Sequence, residues 1–479
     1  MDKQIEADLP EITPILSRFI AETKYEDLPE PITDRVKKSI LDTLGIIMPA
    51  SELMHDLRPA IDLRIEAGGR QESTVLGYGV KLPCWDATFA NGIRGHALDY
   101  ADGHLEAVFR IGIAVIPATL ALAERKGKVS GKELITAVAV AEEFLCRLGV
   151  SNARKRTTMG PWHEGILFGN YGAVASAARM LGLTADETDM ALGIAYMKVG
   201  GTLSVVNPEA NVRGMYAGFV GETGVMAALL AQRGIKGPRG TLGGKDGLFD
   251  VYLRGAYDRD VMVDGLGKDY ELINLSFKPW PACAFAHPFI DAMLTLRAEH
   301  SIRAEDIVKI DVAFGAVVKK LGLCNPIDIA AGKFPKTEND GKRSLPFNVA
   351  LAALKGKISL RDFNEEGLRD TAVLKVAEKV VGALEPAFDA DQFSRKGTQL
   401  PPGRVTVTDR QGRTFTKTVD LPYGHHHNPI KFDDLIEKFR DCLALARKPI
   451  SAADVDRVID LVLHLEELED IREIIQVLA

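Results

Sequence analysis

Apolar residues recur at helical spacing through most of the first half of the chain. The stripe Val36, Ile40 and Leu44 lies on one face of a helix predicted over Pro31 to Ile47, and a shorter one is predicted over Ile12 to Thr23. Around Ser73 to Gly79 the period breaks, and Ser73-Thr74-Val75-Leu76-Gly77-Tyr78-Gly79 reads as an extended arm or turn. Helices are then predicted over Trp85 to Leu98, Val115 to Ala123, Gly131 to Leu148, Phe168 to Leu181, Thr184 to Gly200 and Tyr216 to Gln232. Several of these are alanine-rich and apolar nearly all round, which is the pattern of helices buried inside a large bundle.

Near residue 270 the pattern changes. Val308-Lys309-Ile310-Asp311-Val312-Ala313-Phe314 alternates as a half-buried strand does, and Arg404 to Leu421 reads as a hairpin turning at Asp409-Arg410-Gln411-Gly412. Helices are predicted between them over Ser344 to Leu354 and Thr371 to Val381, and helical periodicity resumes at Lys431 and Ala452. The expectation is a mainly α protein with a discontinuous helical domain, residues 1–272 and 424–479, interrupted by a smaller α+β domain over 273–423. An insertion of about 150 residues lies within the ordinary range for one domain.

Composition then narrows the function. A net charge of −7 over 479 residues, with no block of Lys or Arg, argues against nucleic-acid binding. No span reaches the ~18 uncharged apolar residues that cross a bilayer, and the acidic start Met1 to Glu6 is unlike a signal peptide, so a cytoplasmic protein is expected. Five scattered cysteines, Cys84, Cys146, Cys283, Cys324 and Cys442, without a C-x-x-C pair, read as reduced thiols.

The most informative stretch is Ser276-Phe277-Lys278-Pro279-Trp280-Pro281-Ala282-Cys283-Ala284-Phe285-Ala286-His287-Pro288. Two prolines one residue apart forbid a helix, so Lys278 to Ala282 is expected as a stiff, extended loop. Pro288 suits a first helical turn, and Phe289, Ala292, Met293 and Leu296 repeat at helical spacing behind it. A cation, a thiol and an imidazole (Lys278, Cys283, His287) before a helix start form a place to receive an anion. The alternative is a connector with a solvated lysine and a packed histidine. The motif Lys-Pro-aromatic-Pro-x-Cys followed by His-x-x-Ile-Asp resembles the signature of the MmgE/PrpD family, which includes dehydratases, decarboxylases and epimerases of small polycarboxylates.

Further stretches extend the resemblance. His96-Ala97-Leu98-Asp99-Tyr100-Ala101-Asp102-Gly103-His104 is similar to the family's helix-ending His-x-x-Asp-aromatic-Asp-Asp-Thr, with Ala101 and Gly103 as departures. His96, His104, Asp99 and Asp102 also have the donor types of a metal site, but the family resemblance implies no metal and no cofactor. Arg110 stands where the family has a histidine; arginine grips a carboxylate through two points but cannot act as a base near neutral pH. Trp162-His163-Glu164-Gly165 resembles the family's Phe-His-x-Thr-Gly, which makes His163 the candidate acid/base residue, a helix cap being the alternative. In Arg213-Gly214-Met215-Tyr216-Ala217-Gly218-Phe219 the charge at Arg213 is kept, while Tyr216 and Phe219 replace a histidine and an arginine, an aromatic wall in place of cations. Gly240 to Gly247 lacks P-loop spacing, and His425-His426-His427, whose side chains cannot all reach one ion from regular backbone, reads as linker.

The resemblance implies a cofactor-independent lyase acting on a small di- or tricarboxylate. Lys278, Arg213 and Arg110 would neutralise carboxylates, His163 would move the proton, and Asp99 or His287 would orient the partner group or protonate a leaving hydroxyl. Asp102, His104, Tyr216 and Cys283 would complete the substrate site, in a cleft between the helical domain and the lid. Dehydration is the expected reaction. Decarboxylation, epimerisation or isomerisation, and carboxylate binding without turnover are the alternatives. A homodimer formed by the helical domain is expected, from the family and from the small-residue segments Ala90 to Ala97 and Ala173 to Ala178.

Overall fold

The computed structural model describes residues 11–53, 55–156, 160–207, 212–389 and 397–479; the acidic start Met1 to Glu6 lies outside them. The fold is mainly α with a smaller α+β part, and the chain divides into two compact units, one running to Leu275 and resuming over Leu435–Ala479, the other Ser276–Asp434.

The first unit is built from α1 (Ile12–Glu22), α2 (Glu30–Leu53), α3 (Arg58–Ala67), an antiparallel pair β1 (Ser73–Val75) and β2 (Val80–Leu82), then α4 (Cys84–Ala97), α5 (Gly112–Lys126), α6 (Gly131–Lys155), α7 (Glu164–Leu181), α8 (Ala185–Tyr196) and α9 (Tyr216–Gln232). Sequence signals set several ends. Ser130 and Glu133 close a capping box at the start of α6, and Thr184 and Glu187 do so for α8, each satisfying backbone donors the first turn leaves unpaired. Helix α9 packs against α4, α5, α7 and α8. Together with the turn before it, over Val212–Gln232, it is long and apolar enough for a bilayer, yet it is mostly buried within the unit.

Close approach explains the small residues. A Cβ at Gly92 would lie 2.9 Å from the Ala217 carbonyl oxygen, one at Gly218 2.7 Å from the Phe89 oxygen, and one at Gly224 within 2.4 Å of Ala173 Cβ. The segments Ala90–Ala97 and Ala173–Ala178, expected to suit a dimer contact, are thus spent on packing inside this unit.

In the second unit a four-stranded sheet has the order β4-β3-β5-β6, with β3 (Ile307–Phe314), β4 (Val380–Leu384), β5 (Gly403–Asp409) and β6 (Thr414–Val419). Strands β5 and β6 form the expected hairpin; Asp409 accepts from the amides of Gln411 and Arg413 at 2.9 Å each, and Gly412 takes the left-handed turn position with φ 75°. Helices α10 (His287–His300), α11 (Leu345–Lys355) and α12 (Thr371–Ala377) share one apolar core with the sheet, joining Phe289, Met293, Leu296 and Phe347 to Ile310, Val312, Val405 and Val407. The helix expected over Thr371 to Val381 stops at Ala377; Val380 and Val381 begin strand β4, parallel to β3 with Ile310 opposite Val380. The chain then continues through α13 (Phe432–Leu443) and α14 (Ala452–Leu463), close to where helical periodicity resumes in the sequence.

Candidate active site

In the first unit the end of α4, the loop to α5, the start of α7 and the turn before α9 bring five of the expected residues together, with His96 as a sixth. Helix α4 ends at Ala97 with Leu98 as its C-cap, and Asp99 takes a left-handed φ of 50° that turns the chain out of the helix. Its carboxylate accepts from Arg110 Nη2 at 3.2 Å, while Arg110 Nη1 reaches the Asp102 carbonyl at 3.4 Å. Within the same loop Val108, a β-branched residue, is held at φ 65°, a conformation that persists only where the surroundings impose it.

His163 occupies the N-cap position of α7, yet its side chain makes no capping bond. Its backbone does the local work: the amide donates to the Gly201 carbonyl at 3.1 Å, and its own carbonyl accepts from Ile166 and Leu167. The imidazole instead packs against Tyr216, ring centroids 4.9 Å apart, and His96 meets the same phenol ring edge-on at 4.7 Å. Tyr216 fits over the first turn of α7 because position 165 is glycine; a Cβ there would come within 3.0 Å of the phenol oxygen.

Charge and burial set the protonation states. Burial, reinforced by the Arg213 guanidinium, pushes His163 down to about 4, and burial with Arg213 and Arg110 nearby holds His96 well below its ordinary value. Both imidazoles are therefore neutral near pH 7. Burial raises the Tyr216 phenol, with both arginines opposing, so it keeps its proton. His163 Nδ1 and Arg213 Nε are buried and have no hydrogen-bond partner among the described residues. A buried polar atom left so is costly unless something else fills the position.

Two expected residues lie outside this group. His104 is fully buried: Nδ1 accepts from the Ala107 amide at 3.3 Å and Nε2 lies 3.2 Å from Glu271 Oε1, so both nitrogens are engaged in the framework. Asp102 is also fully buried; its carboxylate caps α5 by accepting from the Gly112 amide at 3.2 Å and lies 3.3 Å from Ser39 Oγ, which bonds Glu142 at 2.6 Å. Burial raises both carboxyls, Glu142 well above its usual range. Phe219, expected as an aromatic wall, is 49% exposed and packs edge-on against Phe89, because it lies on the outer side of α9.

The second unit holds its own group. The loop after Ser276 bends rather than running extended, with the Ala282 amide donating to the Trp280 carbonyl at 2.9 Å; alternate prolines bar a helix but permit a tight turn. The bend turns the Ala282 carbonyl toward two side chains, Lys278 Nζ at 2.7 Å and His287 Nε2 at 3.2 Å. A carbonyl only accepts, so Nε2 carries the hydrogen. Pro288 stands in the first turn of α10, as its spacing predicts, and Trp280 packs edge-on to His287. Cys283 is buried, its amide bonded to the Lys342 carbonyl. Gly424, at φ 89°, lets the backbone pass: a Cβ there would lie 2.2 Å from the Phe277 oxygen. Among the described residues no group of three His, Cys, Asp or Glu side chains has the geometry to hold a metal ion, and the five cysteines are free thiols.

Comparison with known proteins decides the family. The MmgE/PrpD N-terminal domain matches residues 15–259 and the MmgE/PrpD C-terminal domain matches residues 280–465. The chain belongs to the MmgE/PrpD family. Relatives include a human cis-aconitate decarboxylase, 29% identical over 96% of this chain and 93% of the relative, and one from Aspergillus terreus, 25% identical over 98% and 96%. A 2-methylcitrate dehydratase from Salmonella typhimurium is 26% identical over 93% of this chain and 92% of its own length. As the relatives are lyases of either kind, membership supports a lyase-type activity without fixing the reaction.

Within the MmgE/PrpD pattern, His96 is the group member that the sequence placed only in a metal alternative. Its signal was present: it opens the His-x-x-Asp motif that contains Asp99, in the last turn of α4. Asp42, which accepts from the Asp102 amide, Lys438, which donates to the Tyr100 carbonyl, and Glu142, which accepts from Ser39 beside Asp102, sit in segments whose only sequence signature is helical periodicity.

Proposed function

We propose that this protein is a lyase that removes a proton α to a carboxylate of a small di- or tricarboxylate and expels a β-hydroxyl as water. The observation that carries the reading is the buried, unpartnered pair His163 Nδ1 and Arg213 Nε beside the Arg110–Asp99 ion pair. Arg213 and Arg110 would take carboxylates, and drawing charge onto a carboxylate acidifies the neighbouring C–H bond. His163, neutral at pH 7, is in the right state to accept that proton. The C–H electron pair becomes the new double bond as the C–O bond breaks. Asp99 accepts from Arg110 at 3.2 Å, so it is assigned to orientation; the protonated Tyr216 phenol is the group that would give hydroxide its proton. Protons then pass between imidazolium, solvent and phenolate to restore the site. Positioned acid/base groups of this kind contribute about 10²–10⁴ in rate.

Lys278 and His287 are assigned to carboxylate binding and orientation. No cofactor is required for these steps, and we propose that the enzyme works as a cytoplasmic homodimer. A second reading, decarboxylation of an unsaturated tricarboxylate, is favoured by the 29% identity to the human decarboxylase. Incubating the enzyme with 2-methylcitrate, citrate, cis-aconitate and iminodisuccinate separates the readings: alkene and water from a hydroxy acid support dehydration, and CO₂ from cis-aconitate supports the second. Tight binding of all four with turnover of none would leave a carboxylate-binding protein and refute both.

A further inference from the structure

The loop that carries Asp99 and Arg110 is gripped by a buried ion pair that lies outside the residue group just described. Lys438, on α13, donates from Nζ to Asp42 Oδ1 at 2.6 Å and to the Tyr100 carbonyl at 2.8 Å, and its ammonium stands 3.7 Å from the Tyr100 ring centroid. The other oxygen of Asp42 accepts from the Asp102 amide at 3.0 Å. Asp102 in turn caps Gly112 with its side chain and holds Arg110 Nη1 with its carbonyl. One cation thus fixes the backbone on the way out of α4, and through Asp42 fixes it again where Arg110 is received.

Stability alone is a poor reason for this arrangement. The side chains of Lys438 and Asp42 are 4% and 0% exposed, and burying two charges costs enough that a well-packed apolar pair does as well or better. What an apolar pair cannot do is grip two backbone groups of one loop. That loop contains Asp99 and Val108 at positive φ, conformations that need such over-determination. We infer that Lys438 is a positioning residue, holding the Asp99–Arg110 pair in register through Asp42, Tyr100 and Asp102. The inference rests on the reading that Asp99 and Arg110 belong to the substrate site.

The test compares Lys438→Met, the double variant Lys438→Met with Asp42→Asn, and Lys438→Arg with the parent enzyme. Arg440→Gln is the control, since Arg440 lies on the same helix but pairs with Asp456 at the surface. Hydrogen exchange over residues 99–112 is measured beside steady-state kinetics. Folded Lys438→Met is expected to lose roughly 10²-fold in kcat/KM, the cost of displacing a substrate-holding group by about 1 Å. Much of that loss should appear as raised KM, with faster exchange over 99–112, unchanged protection in α9 and partial recovery in Lys438→Arg. Arg440→Gln should match the parent. The inference is overturned if folded Lys438→Met keeps kcat and KM within about threefold of the parent, if exchange over 99–112 is unchanged, or if both Met variants fail to fold. If the parent turns over none of the polycarboxylates, the proposed function fails by itself, and the exchange data alone decide whether Lys438 holds the loop.

Discussion

At the scale of single residues, the protonation state of His163 carries the chemistry, and it has two measurable consequences. With burial and Arg213 holding the imidazole at about 4, the acidic limb of kcat/KM assigned to the base should fall near pH 4, not near the ~6.5 of a solvated histidine. The same shift couples to folding. Between about pH 6.5 and 4 the unfolded chain binds a proton at this position and the folded chain does not, so stability is lost as pH falls through that window. The denaturant midpoint of the parent should therefore fall more steeply than that of His163→Asn as pH drops from 7 to 4; parallel curves would mean an ordinary histidine. Replacing His163 by Ala should lower kcat by about 10²–10⁴ with little change in KM, since proton transfer acts on the transition state. Activity retained within a few-fold would pass the role of base to His287 or Asp99. Arg213→Lys keeps the charge and loses the two-point fork, so KM should rise less than in Arg213→Ala. Tyr216→Phe keeps the ring against His163 and His96; a fall in kcat on a hydroxy acid, with the parent's Tm retained, is expected if the phenol protonates the leaving group.

At the scale of elements, the approach of α4, α9 and α7 determines whether the site residues at their ends meet at all. Gly218→Ala would drive a methyl to 2.7 Å from the Phe89 carbonyl, and Gly224→Ala would overlap Ala173. Each should cost about 1–3 kcal/mol, the range for overpacking a filled core, and lower the Tm accordingly. Gly182→Ala, with open space around it, tests the contrary case: there only the φ of 69° resists, and no neighbouring helix has to move. Long apolar helices were legible in the sequence, as Tyr216–Gln232 shows, and so was the hairpin, whose Asp409 and Gly412 mark its turn by residue type. What escaped was set by tertiary contact. Val380–Leu384 follows a helix directly and becomes a strand through its parallel pairing with β3, a partner about 70 residues away in sequence that no local period reports. In the candidate site, motif residues could be placed by resemblance, but the burial of His104 against Glu271 and of Asp102 beneath α5 depends on which side of the loop faces the core.

At the scale of the whole molecule, the open prediction is self-association. The segments whose small side chains argued for a dimer are consumed by contacts within the first unit, so a dimer contact would use other residues. Phe219 is the strongest candidate. It is 49% exposed on α9, lies edge-on to Phe89, and is bordered by Arg64, whose guanidinium stacks 4.5 Å over the Phe89 ring while pairing with Asp86 and Glu222. A large aromatic left half in water beside charged groups is of the residue type enriched at the centre of protein contacts, with the charges as a rim. Light scattering at micromolar concentration should give twice the mass of one chain. Phe219→Glu, which places a carboxylate in that centre while leaving the buried helix faces untouched, should shift the equilibrium toward one chain without lowering the Tm of the monomer. A parent that scatters as a monomer removes the dimer altogether. A Phe219→Glu protein that stays dimeric keeps the dimer and moves its contact to another surface.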